Sequence, residues 1–216
     1  MSRVIRRSVV LGVLLGLIVQ AAGFAATTNV SIVDFAFQPK TLGVPLGRQV
    51  QWTNNGGAMH TTTNDATNPN GSKGVGWWDS DPLTSGDDFP WIFTAAGRFT
   101  YHCEFHSQMT GAVAVPVRAS PASGPVGTLF TIRTATINAP TGFVYDIQKK
   151  NPGGTFQNWK TGVKSASVTF KPAATGTYSF RARLRRAATG GVSGYSPARS
   201  VTVADGYGVA LRSRSR

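Results

Sequence analysis

Cys103, His106 and Met109 follow one another at intervals of three residues in Tyr101-His102-Cys103-Glu104-Phe105-His106-Ser107-Gln108-Met109, and Cys103 is the only cysteine of the chain. A soft thiolate, a borderline imidazole nitrogen and a weak thioether are the donors that a single copper ion takes in a one-electron site. Such a site takes a second histidine, and His60 is available. Of the chain's three histidines, His102 adjoins Cys103 on an alternating run, which turns its side chain to the opposite face. Zinc also accepts Cys and His, but structural zinc takes four strong donors. Cys103, His60 and His106 around one ion, with the Met109 sulfur as a weak axial donor, instead suit one copper ion cycling between Cu(I) and Cu(II). That arrangement lies between the preferences of the two states, so little has to move when an electron arrives or leaves. The competing readings are Cys103 as a small buried hydrophobe, His60 as a polar loop residue and Met59 as the axial donor.

Donors of this kind need short, stiff supports. The chain holds 25 Gly and 12 Pro in 216 residues, shows no helical periodicity beyond its N-terminus, and breaks into short alternating runs between turn residues. It reads as all-β. Residues 99–103 alternate cleanly, and 112–117 carry Val113, Val115 and Val117 on one face, so the ligand run is expected on a tight loop between two strands. Residues 30–37 read as a strand whose alternation slips between Ile32 and Phe35, and 49–52 as another. Residues 64–76 and 80–88 read as loops.

Residues 1–25 have the layout of a secretory signal peptide: Arg3, Arg6 and Arg7, an uncharged apolar run over 9–19, then small residues with cleavage expected near Ala25 or Ala26. The run is shorter than the roughly 20 residues of a membrane span, so the mature form is expected to have none. An uncleaved anchor is the alternative, and Arg6-Arg7 also fits a twin-arginine export signal. Export leads to an oxidising compartment, where one cysteine cannot form an internal disulfide and metal ligation would protect it.

The net charge of +13 is unevenly placed. Residues 26–117 carry four basic and seven acidic side chains, whereas 118–216 carry fifteen basic and two acidic. The composition divides the mature chain into a first domain over 26–117, a Pro/Gly/Ser linker over 118–125, a second domain over 126–204 and a basic, disordered tail over 205–216. In the second domain, strands are expected over 129–137, 143–149, 165–170, 176–185 and 199–203.

Several stretches of the first domain resemble a known family: Val30-x-Ile32-x-x-Phe35-x-Phe37-x-Pro39, Val50-x-Trp52-x-Asn54, His60-Thr61, Asp79-Ser80, Gly86, and Tyr101-x-Cys103-x-x-His106-x-x-Met109-x-Gly111. Over residues 28–117 the chain is similar to the cupredoxins, in particular to plastocyanin- and amicyanin-like blue copper proteins. The short gap from His106 to Met109 is similar to the amicyanin loop. The resemblance implies an eight-stranded Greek-key sandwich, copper bound by His60, Cys103, His106 and Met109, and one-electron transfer. Asn54 and Thr61 are then candidates for orienting the ligands; Thr61 stands where those families have asparagine. Gly56-Gly57-Ala58-Met59 before His60, and Glu104-Phe105 before His106, also depart from the family pattern.

Residues 178–185 alternate between Tyr178, Phe180, Ala182 and Leu184 and a stripe of Arg181, Arg183 and Arg185. With Gly191 to Pro197 the stretch resembles the late strands of a fibronectin type III or immunoglobulin-like sandwich. The stripe is expected either to bind an anionic partner, such as a cell-envelope polymer or an acidic redox protein, or to be a solvated sheet face. Nothing points to nucleic acid. An enzyme is not expected, since a copper oxidase or nitrite reductase needs further metal sites and only His102 is spare. The leading expectation is a secreted, extracytoplasmic carrier of single electrons between redox protein partners. Copper sequestration, or surface adhesion with a secondary copper site, are the alternatives.

Overall fold

The computed structural model describes residues 27–66 and 77–205. The expected signal peptide and basic tail lie outside the described residues, as does most of the expected loop over 64–76. The regular elements of the first domain are β1 (Thr27–Val33), β2 (Ala36–Gln38), β3 (Thr41–Gly43), β4 (Gln49–Asn54), β5 (Thr63–Asn64), β6 (Asp88–Ile92), β7 (Gly97–His102) and β8 (Thr110–Val115). They form two four-stranded sheets, in the orders β2-β1-β4-β6 and β3-β8-β7-β5. β1 runs parallel to β4 and β3 parallel to β8, so the chain crosses repeatedly between the sheets. The all-β sandwich expected from the sequence is what the chain adopts.

Alternation sets which face is buried. In β4, Val50, Trp52 and Asn54 point inward; in β7, Gly97, Phe99 and Tyr101 do, while Arg98, Thr100 and His102 point away. Between the sheets Trp52 lies 5.4 Å from Tyr101 and 5.8 Å from Trp78, ring centroid to centroid. Each fully buried large apolar side chain contributes roughly 1.5–3 kcal/mol, so this aromatic centre is a main support of the domain. Gly111 in β8 is required by that packing, because a Cβ there would fall 2.3 Å from Tyr101 Cζ.

The slip in alternation between Ile32 and Phe35 is a hairpin. Val33 pairs with Ala36, and Asp34 and Phe35 form the turn, with Phe35 at a left-handed φ of 66°. That turn carries both side chains out of the sheet. β3, β5 and β6 were not anticipated: the first two are very short, and β6 contains Pro90, which fits its place at a sheet edge.

The second domain comprises β9 (Arg118–Ser120), β10 (Ser123–Pro125), β11 (Phe130–Arg133), β12 (Phe143–Lys150), β13 (Phe156–Val163), β14 (Ser167–Phe170), β15 (Gly176–Arg186) and β16 (Arg199–Ala204). The sheet orders are β10-β16-β15-β12-β13 and β14-β11-β9. Residues 118–125, expected as a linker, are instead edge strands: β9 pairs with β11 and β10 with β16. Their Pro- and Gly-rich composition suits edges as well as it suits linkers. β13 escaped the sequence reading because it is an outer strand with few buried side chains and no apolar alternation.

The two domains are joined by main-chain hydrogen bonds. Ala96 N–H donates to Thr134 O and Thr136 N–H to Thr94 O, each at 2.8 Å, and Arg98 and Gly194 exchange a pair at 2.9 Å. Buried apolar side chains from both domains share a large cluster that includes Leu46, Val117, Phe130 and Ile132, and Ala95, Ala135 and Tyr145 form a smaller one.

Candidate metal centre

Three donors converge at one end of the first sandwich. Cys103 Sγ lies 3.7 Å from His60 Nδ1 and 3.4 Å from His106 Nδ1, and the two imidazole nitrogens are 3.1 Å apart. All three atoms fall within 4.8 Å of one another. Cys103 and His60 are fully buried, whereas His106 is partly exposed. Met109 closes the same loop and is buried. Met59, the competing sulfur, is 46 % exposed.

The loop is tightly wound. Cys103 N–H donates to Met109 O at 3.0 Å, Met109 N–H to His106 O at 2.8 Å and His106 N–H to Cys103 O at 3.3 Å. Turns of this kind bring residues three apart to one side, which is what the spacing Cys-x-x-His-x-x-Met requires. His60 comes from a second segment, held against Leu83 by a reciprocal pair of main-chain hydrogen bonds at 3.1 and 2.7 Å.

Asn54 and Thr61 both make hydrogen bonds to the ligand-bearing segments. Asn54, fully buried, donates through Nδ2 to Ala58 O and Leu83 O at 2.9 Å each, and accepts from Gly56 N–H at 3.0 Å. It therefore shapes the segment that presents His60. Thr61 N–H points at Cys103 Sγ at 3.4 Å, and Thr61 Oγ1 accepts from Glu104 N–H at 2.9 Å. The hydroxyl links the two ligand-bearing segments. His102 faces away, with Nδ1 against Asp65 Oδ1.

Two neighbours were not found from sequence. Phe35 stands edge-on to His106, ring centroids 4.9 Å apart, and 6.3 Å from the His60 ring. Asp34 Oδ1 lies 3.6 Å from His60 Nε2. The broken alternation at 33–35 was the available signal, but which loops the hairpin faces depends on the folded sandwich. Phe35, Met59 and Phe105, each about half exposed or more, supply apolar surface at this end of the domain.

Burial holds the His60 imidazole below the usual histidine range, the neighbouring His106 adds to this, and Asp34 opposes it in part. His60 is thus neutral, with a lone pair to give. A buried thiol and two imidazole nitrogens converging at these distances cannot all be satisfied by hydrogen bonds among themselves, whereas one soft cation satisfies all three. Three strong donors with a thioether on the same loop fit copper better than a four-coordinate structural zinc site.

The arginines of the β15 stripe have partners within their own sheet. Arg185 forms a two-pronged pair with Asp146, Nε to Oδ2 at 2.8 Å and Nη2 to Oδ1 at 3.0 Å, and Arg183 Nε reaches the same carboxylate at 3.3 Å. Arg181 donates to Gln148 Oε1 at 2.9 Å and lies over the Phe156 and Tyr195 rings. The three arginines do share a face, but their charge is partly spent within the sheet. Asp146 faces Arg183 in the β12–β15 register.

A two-sheet sandwich with a Cys–His–His donor cluster, and a buried methionine on the same loop as two of the donors, defines the class, and the match to a family model agrees. Residues 24–116 match the family of copper binding proteins of the plastocyanin/azurin type. Over these residues the chain matches that family and has the cupredoxin fold, and its cofactor is one copper ion. Among solved structures the chain is similar to a purple cupredoxin from Nitrosopumilus maritimus, with 28 % identity over 40 % of this chain and 97 % of that one, TM-score 0.36. It is also similar to a proline-to-phenylalanine variant of amicyanin in its reduced state, with 27 % identity over 44 % and 86 %, TM-score 0.35. A methionine-to-alanine variant of amicyanin in its Cu(I) form matches at 28 % identity over 43 % and 83 %, TM-score 0.37. Comparison with curated proteins finds no match.

Proposed function

We propose that the protein is an exported carrier of single electrons, holding one copper ion through His60, Cys103, His106 and Met109 and exchanging electrons with redox protein partners. Copper so held supplies a Cu(I)/Cu(II) couple. The residues around it do the rest. Cys103 and His60 are fully buried, which keeps water from the thiolate. Thr61 and the loop hydrogen bonds fix the donors, so the site need not rearrange between states.

The observation that carries the reading is the contrast between the ligands. His106 alone of the three strong donors is partly exposed, and the exposed Phe35 ring packs edge-on to it. A largely buried donor set with one ligand edge reaching an apolar surface suits electron exchange on contact. Sequestration is served less well by so enclosed a site. The sequence of residues 1–25 supports export, and among the described residues no helix is long and apolar enough to cross a membrane. The arginine-bearing sheet of the second domain is the surface we assign to attachment or docking, with Arg181 the stripe member not paired to Asp146.

Voltammetry of the copper-loaded protein tests this. A reversible one-electron wave that persists through repeated cycles is expected. An irreversible wave, or copper released on each reduction, would contradict a carrier and favour sequestration.

A further inference from the structure

His60 is fully buried, and its two ring nitrogens have different surroundings. Nδ1 faces Cys103 and His106, and for a neutral ring to offer a lone pair there the proton must sit on Nε2. Nε2 is itself buried and has no direct hydrogen-bond partner among the described residues. A buried N–H left in that state is unfavourable, because it has given up its hydrogen bond to water without a replacement. Asp34 Oδ1 stands 3.6 Å from it, a few tenths of an ångström longer than a direct hydrogen bond.

The carboxylate is built into this place. Ala58 N–H donates to Asp34 Oδ1 at 3.0 Å. A Cβ on Gly56 would fall 2.3 Å from Asp34 Oδ1 and 2.9 Å from Asp34 N, so only glycine lets the main chain of 56–58 close around the acid. The Asp34 side chain is about half exposed, as befits a charged carboxylate at neutral pH. The same Gly56-Gly57-Ala58 segment leads directly into His60.

Resting on the copper reading above, we propose that Asp34 is the positioning residue for His60. Its carboxylate takes the Nε2–H of the buried imidazole, fixes the tautomer that presents Nδ1 to the metal, and by its negative charge favours Cu(II) over Cu(I). Partners of ligating histidines raise ligand basicity, and their loss weakens metal binding about 10–100-fold.

The experiment compares the full-length protein with Asp34→Asn and Asp34→Ala, titrated with Cu(II) and with Cu(I) against competing chelators. Midpoint potentials are measured alongside, with nitrogen-15 spectra of the His60 ring in the copper-free protein. Asp34→Ala is expected to lose about 10–100-fold in Cu(II) affinity and less in Cu(I) affinity. Each tenfold difference between the two raises the potential by about 59 mV. Asp34→Asn keeps an acceptor without the charge and should fall between parent and alanine variant. The parent ring should carry its proton on Nε2, and the alanine variant should show a mixture.

Potentials and ring protonation unchanged in both variants would overturn the proposal. So would an equal loss of Cu(I) and Cu(II) affinity, which is the mark of loop support alone. If the alanine variant does not fold, the potential of Asp34→Asn decides. If the parent takes no copper, the reading of the site fails, and the His60 tautomer in the copper-free protein still decides the role of Asp34.

Discussion

Thr61 touches both halves of the ligand set through a three-atom side chain and its own N–H. Its N–H faces the Cys103 sulfur, and its hydroxyl accepts from Glu104 N–H. Thr61→Val keeps the shape and removes the acceptor, leaving a partly buried N–H unmatched beside the ligand loop. The variant is expected to lose about 1–3 kcal/mol in urea unfolding of the copper-free protein, with Thr61→Ser retaining most of the stability. A valine variant as stable as the parent would show that the segments need no such link. Phe35 belongs to the same scale. A bulky side chain at φ 66° with 65 % exposure is an uncommon combination, and it places an aromatic edge against His106.

At the scale of elements, strand register decides what the side chains do. β12 and β15 lie antiparallel with Asp146 opposite Arg183 and Val144 opposite Arg185, which gathers two arginines around one buried carboxylate. Burial alone would raise the Asp146 carboxyl, but hydrogen bonds from Arg185 and Gly162 and the charges of both arginines outweigh it and hold the group below its usual range. A carboxyl depressed in the folded state stabilises fully above its unfolded value of about 3.9, and that stabilisation is lost as pH falls through the folded value. Asp146→Asn should therefore cost about 2 kcal/mol at neutral pH, with the gap to the parent closing below about pH 4. A gap that does not change with pH would show that packing, not charge, is what the carboxylate provides.

The same contrast explains what was legible in the sequence. Cys103, His106 and Met109 lie within seven residues, so their chemistry could be read before any fold was known. The alternation of β4 and β7 likewise reported which face is buried, and correctly turned His102 away from the site. Asp34 and Asp146 act on partners 26 and 37 residues distant, and local pattern carries no information about such pairings. β13 has no alternation to read because it is an edge strand, and the Pro-rich edges β9 and β10 share the composition of a linker.

At the scale of the whole molecule, an acidic copper-binding sandwich is joined to a basic one by main-chain hydrogen bonds at 94–98 and by a shared apolar core. The metal site lies at the ligand-loop end of the first domain, where the hairpin at 34–35, the segment through His60 and the loop 103–109 meet. All of this depends on copper being held through the Cys103 thiolate. The most direct test is a titration of the purified full-length protein with Cu(II), followed in the visible spectrum. An intense thiolate-to-copper band that saturates at one ion per chain and is absent from Cys103→Ala is the expected result. A colourless parent, or a Cys103→Ala variant that develops the same band, would contradict the account.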